Sequence, residues 1–146
     1  MTYQNLLNLV KTGSLKAEPP DRREFEGLIR SGLLRLNDAQ RPELSLESRF
    51  DLAYNASHAL ALAALRHNGF RSENRYLVFQ SLAHTLELPA AEWRVLALCH
   101  DRRNLAEYEG TLEIDEQLLT DLLRVTTGLA EKLQSASGRQ DYYPNV

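Results

Sequence analysis

The sequence predicts an all-α fold, a four-helix up-and-down bundle with additional short helical structure at its N-terminal side. Three observations lead there. Apolar residues recur at helical spacing along almost every periodic stretch, no stretch alternates as a half-buried strand would, and Pro, Gly and capping residues punctuate the helices. Long amphipathic helices must each bury one apolar stripe, and a bundle lets four of them do so through short connections.

Taken in order, Thr2 to Thr12 reads as a short amphipathic helix with Leu6, Leu7 and Val10 on one side, and Gly13 to Pro20 breaks the chain. Asp21 followed by Glu24 is a capping-box pattern opening a helix whose Phe25, Leu28, Ile29, Gly32, Leu33 and Leu36 form one stripe. That helix is expected to stop near Asn37, ahead of Pro42. The next runs from Ser45 to Asn68 and closes on Gly69, and its alanine-rich centre invites close approach by its neighbours. A polar loop, Arg71 to Asn74, leads to a helix from Arg75 to about Leu86. Pro89 opens the following helix, which reaches Glu109 and stops at Gly110. The last helix, Asp115 to about Gln134, carries Leu118, Leu122, Val125, Leu129 and Leu133 in a near-heptad stripe, and the tail from Ser135 onward reads as frayed.

Composition bounds the function. The 146 residues, 43% hydrophobic and 25% charged, suit a single globular domain over residues 1–146 with its core at about 21–134. The lone cysteine, Cys99, excludes an intramolecular disulfide and fits a reducing, cytoplasmic setting. The longest apolar run, Ala59 to Leu65, is too short to cross a bilayer, and the first residues lack the basic start of a secretory signal, so no membrane role is expected. A net charge of −3 argues against broad charge-driven nucleic-acid binding but leaves room for a local basic site. His58, His67, His84 and His100 have no zinc-ligand or di-iron spacing, so neither a metal nor a cofactor is expected. Cys99 and His100 are adjacent along a helix and so diverge by about 100°, which favours packing over catalysis for the thiol.

Two places break the apolar pattern, as functional sites often do. On the Pro89 helix the stripe through Trp93, Leu96 and Ala97 continues by helical spacing to His100, then Arg103 and Asn104, then Glu107 and Tyr108. Read structurally, Arg103 pairs with Glu107 and the helix end emerges into solvent. Read functionally, the polar turns form a site. On the alanine-rich helix, Asp51, Asn55 and His58 line one side beside the apolar series through Phe50, Ala53, Tyr54, Ser57, Ala61 and Ala64. That trio can form a hydrogen-bonded cluster, either structural or functional.

The stretch Asp51 to His58, the loop Gly69-Phe70-Arg71-Ser72 and above all Arg103-Asn104-Leu-Ala-Glu-Tyr108-Glu-Gly110 resemble a HEPN domain, the higher eukaryotes and prokaryotes nucleotide-binding family. The likeness spans roughly Ser45 to Leu133. It implies a helical bundle, commonly a homodimer, whose Arg-lined polar groove meets RNA, a nucleotide or a partner such as a small nucleotidyltransferase, often in toxin–antitoxin systems. Catalytic members carry a histidine after the Arg-polar pair, where this chain has Tyr108, Glu109 and Gly110. Without that imidazole no group near neutral pKa stands ready to take a proton from a ribose 2′-hydroxyl.

Three expectations follow. The first is a non-catalytic binding module using Arg103, Asn104 and Tyr108, with Asp51, Asn55 and His58 nearby, to grip RNA, a nucleotide or an acidic partner group. The second is a metal-independent ribonuclease in which Arg103 stabilises the phosphorane and His58 or His100 is the base. The third is a purely structural or oligomerising domain.

Overall fold

A computed structural model describes residues 2–137. Its helices are α1 (Thr2–Lys11), α2 (Arg22–Ala39), α3 (Leu46–His67), α4 (Arg75–Gln80), α5 (Leu82–Thr85), α6 (Ala90–Glu109) and α7 (Glu116–Ser137). The mostly helical bundle expected from the periodicity is what the chain forms. The four long helices are α2, α3, α6 and α7; α3 packs most extensively on α2 and then on α7, while α6 leans on α7 and on α4.

Capping residues set the boundaries. Asp21 accepts from the Glu24 amide, Ser45 from the Ser48 amide, Asn74 from the Leu77 amide and Asp115 from the Leu118 amide, each satisfying one of the orphan donors at a helix start. Gly110 closes α6 at φ 74°, a left-handed conformation that costs a residue with a Cβ about 1–2 kcal/mol. Two elements depart from the sequence reading. The helix expected from Arg75 to Leu86 divides at Ser81, whose hydroxyl donates back to the Leu77 carbonyl and competes with the regular ladder. The linker before α2 holds a two-residue strand, β1 (Lys16–Ala17), paired antiparallel with β2 (Phe70–Arg71), a pairing too short to show as alternation.

α2 also runs two residues past the expected Asn37, where Arg49 donates to the freed Ala39 carbonyl. Residues 138–146 of the tail lie outside the described residues.

The core lies along α3. Ala53, Ala56, Ala61, Ala63 and Ala64 are fully buried, together with Leu60 and Leu65. Their small side chains let α2 approach so closely that a Cβ built on Gly32 would sit 2.7 Å from Leu60 Cγ and 3.3 Å from the Ala56 carbonyl oxygen. The stripe of α7 is buried throughout, from Leu118 to Leu133.

A buried arginine staples the linker to this core. Arg66, 1% exposed, donates to the Glu24 carboxylate (2.6 Å) and to the Glu18, Pro19 and Phe70 carbonyls. Arg71 binds the same Glu24 carboxylate and reaches Glu18 at 3.0 Å. The capping box is thus only half made, because the Glu24 side chain turns to these arginines instead of its own helix start. Burial pushes the Glu24 carboxyl up, but hydrogen bonds from Arg71 and Arg66 and their charges outweigh it and hold it below the ordinary 4.5.

Two outcomes follow. Gly32→Ala lowers unfolding stability by about 1–3 kcal/mol in urea melts, since the added methyl meets the fully buried Leu60 side chain at 2.7 Å and the Ala56 carbonyl oxygen at 3.3 Å. A carboxyl whose pKa is depressed on folding contributes stability that is present above its unfolded value and lost as pH falls through the folded one. The wild-type urea midpoint therefore drops on acidification below about pH 4.5, and Glu24→Gln, less stable at pH 7, shows a shallower drop.

Candidate functional site

α3, α4 and α6 converge on the ring of Tyr54. The α3 spacing that buries Phe50, Ala53 and Tyr54 leaves Asp51 and Asn55 toward the outside. The Asn74 cap fixes Arg75 and Tyr76 as the first two residues of α4, so both sit at the mouth of the α3–α6 junction. α6 contributes Trp93, His100, Arg103 and Asn104.

His100 is held at both nitrogens. Its Nδ1 lies 2.8 Å from the Tyr54 hydroxyl, and its Nε2 lies 3.1 Å from the Asn104 amide nitrogen. An amide nitrogen only donates, so with the carboxamide in this orientation Nε2 accepts, and the neutral ring donates Nδ1–H to the Tyr54 oxygen. The ring also stacks on Tyr54, with centroids 6.2 Å apart and planes at 19°. Burial pushes its pKa below the ordinary 6.5; the Asp101 charge opposes this and the Arg75 and Arg103 charges add to it. His100 is accordingly neutral at pH 7. Burial raises the Tyr54 phenol, opposed by Arg75 and Arg103.

Two guanidinium groups share the Tyr54 ring. The Arg103 guanidinium carbon lies 5.0 Å from the ring centroid and that of Arg75 lies 5.6 Å away, both within cation–π range. Their counter-charges differ. Arg103 meets the Asp51 carboxylate at 3.3 Å and the Glu107 carboxylate at 3.8 Å, both of them more than half exposed. Arg75 donates to the neutral Asn55 side-chain oxygen at 3.2 Å and, among the described residues, has no carboxylate within ion-pair distance. A depression of about 550 Å³ shares Asp51 with this cluster and is lined by Leu44, Glu47, Ser48, Leu52 and Leu112.

The residues singled out from sequence are therefore only partly brought together. Asp51, His100, Arg103 and Asn104 join one network, and Asn55 enters it through Arg75. His58 stands apart from its expected partners Asp51 and Asn55: it packs edge-on to Phe79 at 5.9 Å and forms no hydrogen bond among the described residues. Burial, with Arg75 and His100 adding, pushes its pKa down to about 4. Tyr108 lies outside the cluster, 87% exposed. The reason is angular, because five residues of helix turn Tyr108 about 140° away from the direction of Arg103. Cys99 is buried and its thiol is pushed up to about 12, which leaves it an inert packing group.

Tyr54, Arg75 and Tyr76 belong to the site and carry no local signal for it. Tyr54 reads as one more member of an apolar series, and Arg75 reads only as a helix start. Tyr76, whose ring lies 6.4 Å from those of both His100 and Trp93, adds an exposed aromatic edge beside the arginines. Among the described residues no group of His, Cys, Asp and Glu side chains is placed to hold a metal ion, and no helix is long and apolar enough to cross a membrane.

Removing a nearby cation relieves repulsion on a protonated imidazole. In an NMR pH titration the His100 ring resonances of the wild type turn at a midpoint below 6.5, and Arg75→Gln moves that midpoint upward. Comparison of the chain with protein-family models, with curated proteins and with solved structures returned no match.

Proposed function

We propose that the Arg75–Arg103 cluster receives a phosphoryl group of RNA or of a nucleotide, and that the domain is a binding module. The observation that carries this reading is the Arg75 guanidinium, half-buried against Tyr54, steadied by a neutral amide and lacking a carboxylate partner. A guanidinium held this way keeps donors for an incoming anion, and its planar fork matches two phosphoryl oxygens. Arg103 supplies a second fork when an anion displaces Asp51 or Glu107. Those exposed pairs are worth only about 0–1 kcal/mol each, so displacement is cheap. The resemblance of the Arg103–Gly110 segment to HEPN domains supports the same ligand class. It also moves the emphasis: the segment's own arginine is partly neutralised, and the uncompensated charge comes from α4.

A second reading, metal-independent RNA cleavage, is favoured by one feature. The neutral His100 imidazole beside two arginines supplies the group missing from the end of α6. His58, half-buried and edge-on to Phe79 with its pKa at about 4, is unsuited to the same role.

Titration of a fluorescently labelled single-stranded RNA, and separately of ADP, at fixed low salt tests the binding reading. At least one probe binds the wild type, and Arg75→Ala weakens that binding at least tenfold, because a charge-assisted hydrogen bond contributes about 1.5–3 kcal/mol. Arg124→Ala on α7, far along the chain and paired with Glu92 and Asp121, leaves it unchanged. Failure of both probes to bind, or equal affinity for Arg75→Ala, overturns the proposal. The same RNA incubated with the protein in excess EDTA decides the second reading: cleavage lost in His100→Ala establishes it, and intact RNA dismisses it.

A further inference from the structure

α6 is the least buried of the long helices, with only Leu96 and Cys99 fully inside. Of the six large apolar side chains exposed among the described residues, three lie on it: Leu98 (41%), Leu105 (48%) and Tyr108 (87%). They are not scattered. Arg94, Leu98, Asp101, Leu105 and Tyr108 follow one another at steps of four, three, four and three, and all five are exposed. That is the spacing of a seam between two packed helices, turned here to the outside. A run of this kind on a lone surface helix marks an interaction surface.

The charges on the seam point to what covers it. Arg94 and Asp101 stand four residues before and three after Leu98, on the same exposed face, and neither forms a salt bridge within the protomer among the described residues. Placed antiparallel to a second α6 with a two-fold axis at Leu98, the stripe is complementary to itself. Leu98 then meets the partner's Leu98, Arg94 faces the partner's Asp101, and the reverse pair repeats across the axis. Ala91, exposed one turn before Arg94, comes opposite the partner's Leu105, a small side chain against a large one. An isologous contact requires one patch to satisfy itself in this way. A parallel arrangement would set Arg94 on Arg94 and Asp101 on Asp101.

We infer that α6 is the dimerisation helix, pairing antiparallel with α6 of a second copy through Leu98, Leu105 and reciprocal Arg94–Asp101 ion pairs. The inference stands apart from the ligand reading, because the hydrogen bonds, ion pairs and ring contacts of Arg103, His100 and Asn104 run to α3, to α4, to Glu107 and to one another, and only the charge of Asp101 reaches His100 from the seam. The patch is small for a specific interface, so association is read across a concentration series.

Sedimentation of the full chain from low to high micromolar concentration shows a rise from protomer to dimer mass. Arg94→Asp and Asp101→Arg each shift the midpoint at least tenfold toward monomer, and the double variant restores it, since the charges are exchanged on both copies. Leu98→Cys is cross-linked into a dimer by a short bis-maleimide, whereas Leu34→Cys, 63% exposed on α2, is not; the native Cys99 is buried and does not react. Arg75→Ala, which removes the proposed ligand contact, keeps the wild-type dimer midpoint. A protomer mass at every concentration overturns the inference. So does a double variant that stays monomeric while both single variants fold by circular dichroism.

Discussion

α3 occupies the centre of the bundle because its inner surface is made of alanine. Alanine loses no side-chain freedom on helix formation, and a surface without protruding side chains lets a neighbouring backbone come close enough for many short contacts. Gly32 of α2 exploits this directly by resting on the Ala56 carbonyl and the Leu60 side chain. The same geometry sets the limits of the site. Toward the start of α3 the alanines give way to Asp51, Tyr54, Asn55 and His58, and there the neighbours are α4 and α6, which bring polar side chains.

Arginine plays two opposed roles in this chain, and the difference is one of compensation. Arg66 is fully buried, yet carboxylates of Glu24 and Glu18 and three carbonyls surround it, so its charge is spent on holding the linker and β2 to the helix ends. Removing one partner from such a network would strand the other, the usual reason buried ion pairs tolerate little change. Arg75 is less buried and far less compensated, with an amide oxygen and an aromatic ring in place of a carboxylate. A half-buried cation without a counter-ion is a local cost that a bound anion would relieve, and that is the physical basis of the proposed phosphoryl site.

The imidazoles obey the same field. Burial makes protonation of His58 and His100 unfavourable, and the guanidiniums act in the same direction, Arg75 on both rings and Arg103 on His100. His58, deeper, is driven further down than His100, which keeps Asp101 as a partial counterweight. Neutral rings let the cluster hold two cations without adding a third, and the Tyr54–His100–Asn104 chain fixes ring orientation without charge.

Much of the fold was legible before any coordinates. Helical periodicity located the long helices, Asp21, Ser45 and Gly110 marked their ends to within a few residues, and the α7 stripe named its own buried face, because caps and amphipathic spacing act between residues close in the chain. The sequence also marked Asp51, His100, Arg103 and Asn104 as polar where apolar side chains were due. Only the packing of α3, α4 and α6 could show that Arg75 completes their cluster, that Tyr54 is its floor, and that His58 and Tyr108 lie apart. Those relations join residues 20 to 52 positions apart through helix orientation, and a helix by itself does not specify which neighbour its faces meet.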